Sequence, residues 1–72
     1  MYPNWNAEYA RKGFTLNQLA DELEKRGIKR TVATLSLKFI GKAPITLKEA
    51  KALKEIVGTE LSLDVLFKEA ES

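Results

Sequence analysis

The spacing of the four glycines, at positions 13, 27, 41 and 58, constrains this fold more than any other feature of the sequence. Glycine is common just past the C-terminal end of an α-helix, because it adopts the left-handed conformation without strain. Residues that favour the position before a helix stand in between, at Thr15, Thr31, Thr46 and Ser62. The alternation of caps and stops predicts a single all-α domain over 1–72, with five helices at about 5–12, 15–26, 31–40, 46–57 and 62–69.

Capping boxes and apolar spacing support the helices individually. The segments 15–18 and 46–49 read Thr-Leu-Asn-Gln and Thr-Leu-Lys-Glu, in which the cap and the third helical residue bond reciprocally. Asn4 is the predicted cap of the first helix, and Ile28 should pack back past Gly27 in a Schellman motif. Helical periodicity places these residues in the core: Trp5, Tyr9, Phe14, Leu16, Leu19, Ala20, Leu23, Val32, Leu35, Phe39, Leu47, Ala50, Leu53, Ile56, Val57, Leu63, Leu66 and Phe67.

Residues 31–37 are rich in β-branched side chains, so a strand competes with the helix there, but one strand would have no partner. In the fourth helix, Lys48, Lys51 and Lys54 with Glu49 and Glu55 are predicted to form a solvated outer face, and residues 69–72 are expected to fray.

Composition excludes several function classes. The chain of 72 residues has no cysteine and no histidine, which rules out a disulfide framework, a zinc site, a thiol nucleophile and a histidine base. We therefore expect no enzyme, no cofactor, no metal and no small-molecule substrate. No apolar run approaches the roughly 20 residues of a membrane span, and residues 1–4 lack a signal-peptide pattern. The sequence predicts a small, complete cytoplasmic protein.

Charge is unevenly distributed along the chain. Residues 1–42 contain eight Lys/Arg and four Asp/Glu, whereas residues 43–72 contain four lysines and six acids. A basic half joined to an acidic half indicates a surface that faces a polyanion, although a solvated charged face would give the same numbers.

The second and third helices flank the turn at Gly27 and so predict a helix-turn-helix, in which the later helix enters the DNA major groove. The outer side of the third helix carries small or uncharged residues, namely Ala33, Ser36, Leu37 and Ile40. Cations stand at its two ends, namely Lys29, Arg30, Lys38 and Lys42. Such cations can neutralise phosphates while short side chains let the helix approach base edges.

Residues 10–67 resemble the phage Cro and CI repressor family, also called XRE-type regulators. The matching pieces are Arg-Lys-Gly-Phe-Thr at 11–15, Leu-Ala at 19–20, Thr-Leu-Ser-Leu-Lys at 34–38, Gly-Lys-Ala-Pro at 41–44, Thr-Leu-Lys-Glu-Ala at 46–50 and Leu-Ser-Leu-Asp-Val-Leu-Phe at 61–67. The resemblance implies a five-helix, lambda-repressor-like fold that binds operator DNA, commonly as a homodimer, and controls transcription of a phage, prophage or other mobile element.

The candidate DNA contacts are Asn17, Lys29, Arg30, Thr31, Ala33, Ser36, Leu37, Lys38 and Lys42. Lys29 and Arg30 could instead form only a solvated turn, and Thr31 is first of all a helix cap. No arginine or glutamine reader stands at the helix centre, so base readout should depend on Ser36, Arg30, methyl contacts from Ala33 or Leu37, and DNA shape. Neutralising four to six phosphates gives an expected log–log salt slope of roughly −4 to −5 per monomer. Tyr2 or Ile40, if exposed, would be interface residues.

A protein-interaction module, for example an antirepressor or an antitoxin-like partner built on the same fold, is the alternative. The connection between the second and third helices is about five residues longer than the family's, and Leu16 and Ile40 stand where the family often has polar residues. A membrane-binding amphipathic bundle is disfavoured, because the basic residues do not line one helix.

Overall fold

The computed structural model describes residues 2–69, and these form five α-helices. The helices are α1 (Pro3–Arg11), α2 (Leu16–Lys25), α3 (Val32–Phe39), α4 (Leu47–Val57) and α5 (Leu63–Leu66). Across this part of the chain there is no strand, so the helical prediction for the segment around Leu35 is confirmed. The last helix is shorter than predicted: it ends at Leu66, and Lys68 and Glu69 are not helical. The predicted fraying of residues 70–72 lies outside the described residues. None of the described helices has the length and apolarity needed to cross a membrane.

Four of the five helix starts follow the predicted caps. The side-chain oxygens of Thr15, Thr31, Thr46 and Ser62 each accept a hydrogen bond from the backbone amide three residues later. Thr15 and Thr46 also form the reciprocal capping boxes. These contacts satisfy amide groups that would otherwise lack partners at a helix start.

The predicted cap of α1 is wrong. The helix begins at Pro3, after Tyr2, because proline already has helical φ and lacks the amide hydrogen that the first turn leaves unpaired. Asn4 therefore lies inside the first turn, and its side-chain amide donates to the Val65 carbonyl over 2.9 Å. The contact joins α1 to α5.

The turn between α2 and α3 has the predicted Schellman geometry. Gly27 has a φ of +81°, its amide donates to the Glu24 carbonyl, and the Ile28 amide donates to the Leu23 carbonyl, both over 2.9 Å. Ile28 is buried, so the turn is anchored in the core as well as hydrogen-bonded. From there the chain runs through residues 29–31 into α3.

The core lies where α2 packs against α3 and α4, and where α1 packs against α5. An aromatic cluster surrounds the fully buried Trp5, whose ring centroid lies 5.3 Å from Tyr9, 5.4 Å from Phe39 and 5.2 Å from Phe67. Tyr2, considered above as an interface residue, is buried: its ring packs edge-on against Phe67 at 5.7 Å. Tyr2 thus does not meet the condition of exposure on which an interface role depended.

The buried face of α4 differs from the predicted one. Leu47 was expected in the core but is 63% exposed, whereas Glu49 was expected in solvent and is 1% exposed. Ala52, Leu53 and Val57 are buried beside Glu49, so the inward face of the helix includes that carboxylate and excludes Leu47. A charged residue in a core requires partners, and those partners lie in the segment that carries α3.

Candidate nucleic-acid interface

The helix α3 has two distinct sides. Leu35 and Phe39 are buried at 0% and 2% exposure and fix the helix to the core. Ala33 and Leu37 lie on the opposite side and are exposed, Leu37 at 47%, and Ser36 beside them is half-buried. The next turn adds Ile40, the C-cap residue, at 45% exposure. The predicted outer face is therefore accessible along its length.

The segment that carries this face has a charge pattern that the sequence analysis did not single out. Residues 25–48 contain no aspartate or glutamate. They contain seven cations, at Lys25, Arg26, Lys29, Arg30, Lys38, Lys42 and Lys48. A search of the sequence for stretches without acidic residues would have found this segment, whereas a comparison of the net charge of the two halves of the chain does not show it.

Two of these cations are directed inward by Glu49. Its Oε2 accepts from Arg30 Nε over 2.6 Å, and its Oε1 accepts from Lys38 Nζ over 3.0 Å. Lys38 Nζ also donates to the Pro44 carbonyl over 2.8 Å, and the side chain is only 12% exposed. Arg30 additionally donates to the Lys29 carbonyl over 2.7 Å. Both predicted phosphate contacts thus have internal partners.

The ionised form of Glu49 is strongly favoured. Burial alone would raise the pKa of this carboxyl, but it accepts hydrogen bonds from the Thr46 backbone amide, Lys38 and Arg30. These contacts outweigh burial and lower its pKa from 4.5 to about 2. The carboxylate therefore joins the turn before α3, the end of α3 and the start of α4 through charge-assisted hydrogen bonds.

Other cations of the segment face solvent. Lys29 and Lys42 are exposed and lie three residues before and three residues after α3, while Lys48 is exposed in the first turn of α4. Among residues 2–69 these three form no ion pair. They are the side chains of this region that an anion can reach without displacing an internal contact.

The remaining candidates have different settings. Thr31 is the α3 cap: its Oγ1 accepts from the Thr34 amide over 3.1 Å and lies 3.0 Å from the Thr34 hydroxyl. Asn17 is exposed in the first turn of α2, on a different helix from the α3 face. The structure thus brings Ala33, Ser36 and Leu37 together on one face and leaves Asn17 apart from them along the chain.

A second polar cluster lies at the C-terminal end of α1. Thr59 donates from its hydroxyl to Glu8 over 3.0 Å, and Arg11 pairs with the same carboxylate oxygen. The hydrogen bond from Arg11, with smaller help from Thr59, holds the Glu8 pKa below its ordinary value. Lys12 is exposed beside this cluster. Because Glu8 and Arg11 are engaged with each other, we regard the cluster as structural.

The fold and this surface define a class: over residues 2–69 the protein is a small all-α domain of five helices, and its third helix presents an apolar face between two exposed cations. Within residues 2–69 no group of three potential ligands could hold a metal ion. Comparison with protein-family models, with curated proteins and with solved structures finds no match. The functional argument therefore rests on the physical character of the α3 surface.

Proposed function

We propose that this protein is a sequence-specific double-stranded DNA-binding transcription regulator of the phage or mobile-element type, with α3 as its recognition helix. The observation that carries the proposal is the outer face of α3, which is exposed opposite the buried Leu35 and Phe39 and lies in an acid-free segment of seven cations. An α-helix fits the major groove of B-DNA, and small side chains on its outer face permit close approach to the bases.

In the proposed complex, the exposed cations contact phosphates on either side of the groove. Lys29 and Lys42 flank α3, and Lys48 follows in the first turn of α4. Arg30 and Lys38, which the sequence analysis offered as phosphate contacts, pair with Glu49, and the proposal gives them the role of holding α3 in place. Three phosphate-neutralising lysines correspond to a log–log salt slope of about −3 per monomer, shallower than the −4 to −5 expected from sequence.

The test is a fluorescence-anisotropy titration against a random duplex and against DNA from upstream of the gene, at several salt concentrations. The double variant Lys29→Gln/Lys42→Gln should lose about two units of salt slope and bind at least tenfold more weakly near 0.1 M salt. Lys12→Gln is the matched control, because Lys12 is also exposed but lies by the Glu8 cluster. Binding without salt dependence, or equal losses in the two variants, would contradict the proposal.

A protein-interaction module is the second candidate, and the exposure of Leu37 and Ile40 favours it specifically. These two large apolar side chains, 47% and 45% exposed, are the kind of surface that a partner protein buries. Charge reversal at Lys29 and Lys42 distinguishes the two candidates. Loss of DNA binding together with loss of regulatory activity in cells supports DNA recognition. Unchanged regulatory activity in cells supports a protein partner.

A further inference from the structure

The outer face of α3 is aliphatic once the internal contacts are taken into account. Ala33, Leu37 and Ile40 follow one another at helical spacing, and all three are exposed. Arg30, the polar side chain expected to read bases from the start of the helix, is bound to Glu49 and to the Lys29 carbonyl. Ser36 is the polar residue that remains on this face, and it is half-buried. Lys38 is the one side chain between residues 33 and 40 that could contact guanine in bidentate fashion, and its amine is bound to Glu49 and to the Pro44 carbonyl.

We infer that α3 recognises thymine through its 5-methyl group, so that the preferred site is a short tract of A·T pairs. The inference rests on the proposed function, and it names the base chemistry that this same site reads. The methyl group of thymine is the apolar feature of the major groove, whereas the other base edges there present hydrogen-bond donors and acceptors. Aliphatic side chains gain by covering a methyl group, and a G·C pair presents no methyl group in the major groove.

The length of the face sets the length of the tract. Ile40 lies seven positions after Ala33, which at a rise of 1.5 Å per residue is about 10 Å along the helix. Successive bases on a DNA strand are about 3.4 Å apart along the duplex axis, so the face spans about three base-pair steps. Leu37 lies at its centre and should contribute most.

The charge around the face selects DNA over an apolar protein surface as its occupant. Residues 25–48 contain no acid, and exposed lysines stand before and after α3. The major groove of DNA complements this arrangement. Its two phosphate backbones place negative charge beside the two lysines, and the thymine methyl groups lie between the backbones.

The experiment first selects binding duplexes from a random library and then replaces thymine by deoxyuridine at the recognised positions. Deoxyuridine lacks only the 5-methyl group and keeps base pairing and charge. We expect affinity to fall about threefold to fourfold for each contacted thymine, the effect of one buried methyl group. Replacing the T·A pair by 5-methylcytosine·guanine should weaken binding less than replacing it by unmethylated C·G.

Two leucine variants connect the effect to α3. Leu37→Ala should abolish the difference between thymine and deoxyuridine at the central recognised position while keeping the salt slope. Leu61→Ala is the matched control, because Leu61 is also exposed, at 37%, but lies between α4 and α5. It should leave the difference intact.

The outcomes separate the inference from the proposed function. Salt-dependent duplex binding that is indifferent to deoxyuridine, or selected sites without a shared thymine, would overturn methyl recognition and leave DNA binding standing. The absence of any duplex binding would overturn both. A preference for thymine over deoxyuridine at the central position that survives in Leu37→Ala would also overturn the inference, since the reader of that base would then lie elsewhere.

Discussion

Replacing Glu49 by glutamine tests whether one buried carboxylate holds α3 in place. The side chain is 1% exposed and accepts from Arg30 Nε at 2.6 Å and from Lys38 Nζ at 3.0 Å. Glutamine has nearly the same shape but no charge, and its amide group places a donor where these cations need an acceptor. The variant therefore removes the electrostatic partner while preserving volume.

The magnitude follows from the pKa of the carboxyl. A fall in pKa from 4.5 to about 2 on folding corresponds to about 3 kcal/mol of stability when the group is ionised. Because the folded-state pKa is the lower one, this stability is fully present above the unfolded-state value of 4.5 and is lost as the pH falls toward about 2. By about pH 3 it should have fallen below half of its value at pH 7.

The assay is urea unfolding followed by the fluorescence of Trp5, the single and fully buried tryptophan. At pH 7 Glu49→Gln should lower the free energy of unfolding by about 3 kcal/mol, and the difference should narrow steadily between pH 5 and pH 3. The free energy of unfolding of a domain of this size is roughly 3–5 kcal/mol in total, so sucrose, which does not titrate in this pH range, is added to all samples to keep the variant folded.

Glu22→Gln is the control for this measurement. Glu22 pairs with Lys25 at 3.0 Å and with Arg26 at 3.8 Å on the surface of the protein, and removing such surface pairs should change stability by less than about 1 kcal/mol. A Glu49→Gln variant as stable as Glu22→Gln at pH 7, or a stability difference that does not change with pH, would refute the role assigned to the buried carboxylate.

Three further substitutions test local features, each by urea unfolding or a thermal melt. Thr15→Ala removes the hydroxyl that accepts from the Gln18 amide and should cost about 1 kcal/mol; no loss would mean that the capping box does not form in solution. Gly27→Ala forces a φ of +81° on a residue with a Cβ and should lower the free energy of unfolding by about 1–2 kcal/mol. The cost comes from the backbone conformation, because nothing lies within 4 Å of the new Cβ. An unchanged stability would contradict the turn conformation. Leu35→Ala should lower the free energy of unfolding by about 2–5 kcal/mol, whereas Leu37→Ala should lower it by less than about 0.5 kcal/mol. The reverse order would show that α3 is rotated.

The helix pattern could be predicted from sequence because the signals that define it are local. A threonine cap and the amide it binds lie three residues apart, and a Schellman glycine bonds within its own last turn. The predicted helix boundaries were wrong where the sequence signal was weaker or depended on residues far apart in the chain. Asn4 and Pro3 both favour a helix start, and the fixed φ of proline prevailed. In α5 the apolar pattern predicted a longer helix than the single turn from Leu63 to Leu66.

The candidate site was harder to predict because its electrostatics are tertiary. The capping box identified Glu49 correctly as the partner of Thr46, but its burial depends on Arg30 and Lys38, which are 19 and 11 residues away. An isolated helix with Lys48, Lys51 and Lys54 gives no reason to bury its glutamate. The accessibility of Ala33 and Leu37 followed directly from helical spacing, since Leu35 and Phe39 occupy the other side.

The division of cations between inward and outward positions explains how so short a helix can present a defined surface. α3 has only eight residues, too few to be stable without packing. Arg30 before it and Lys38 in its last turn converge on one carboxylate at the start of α4, so both ends of α3 are fixed to the same point. Lys29 is the neighbour of Arg30, and Lys42 follows the turn after Lys38. The contacts of Arg30 and Lys38 with Glu49 therefore also set the separation between Lys29 and Lys42. Arg30 and Lys38 thereby support the orientation of the face, and in the proposed DNA complex this internal use of two cations is the reason for expecting the shallower salt slope.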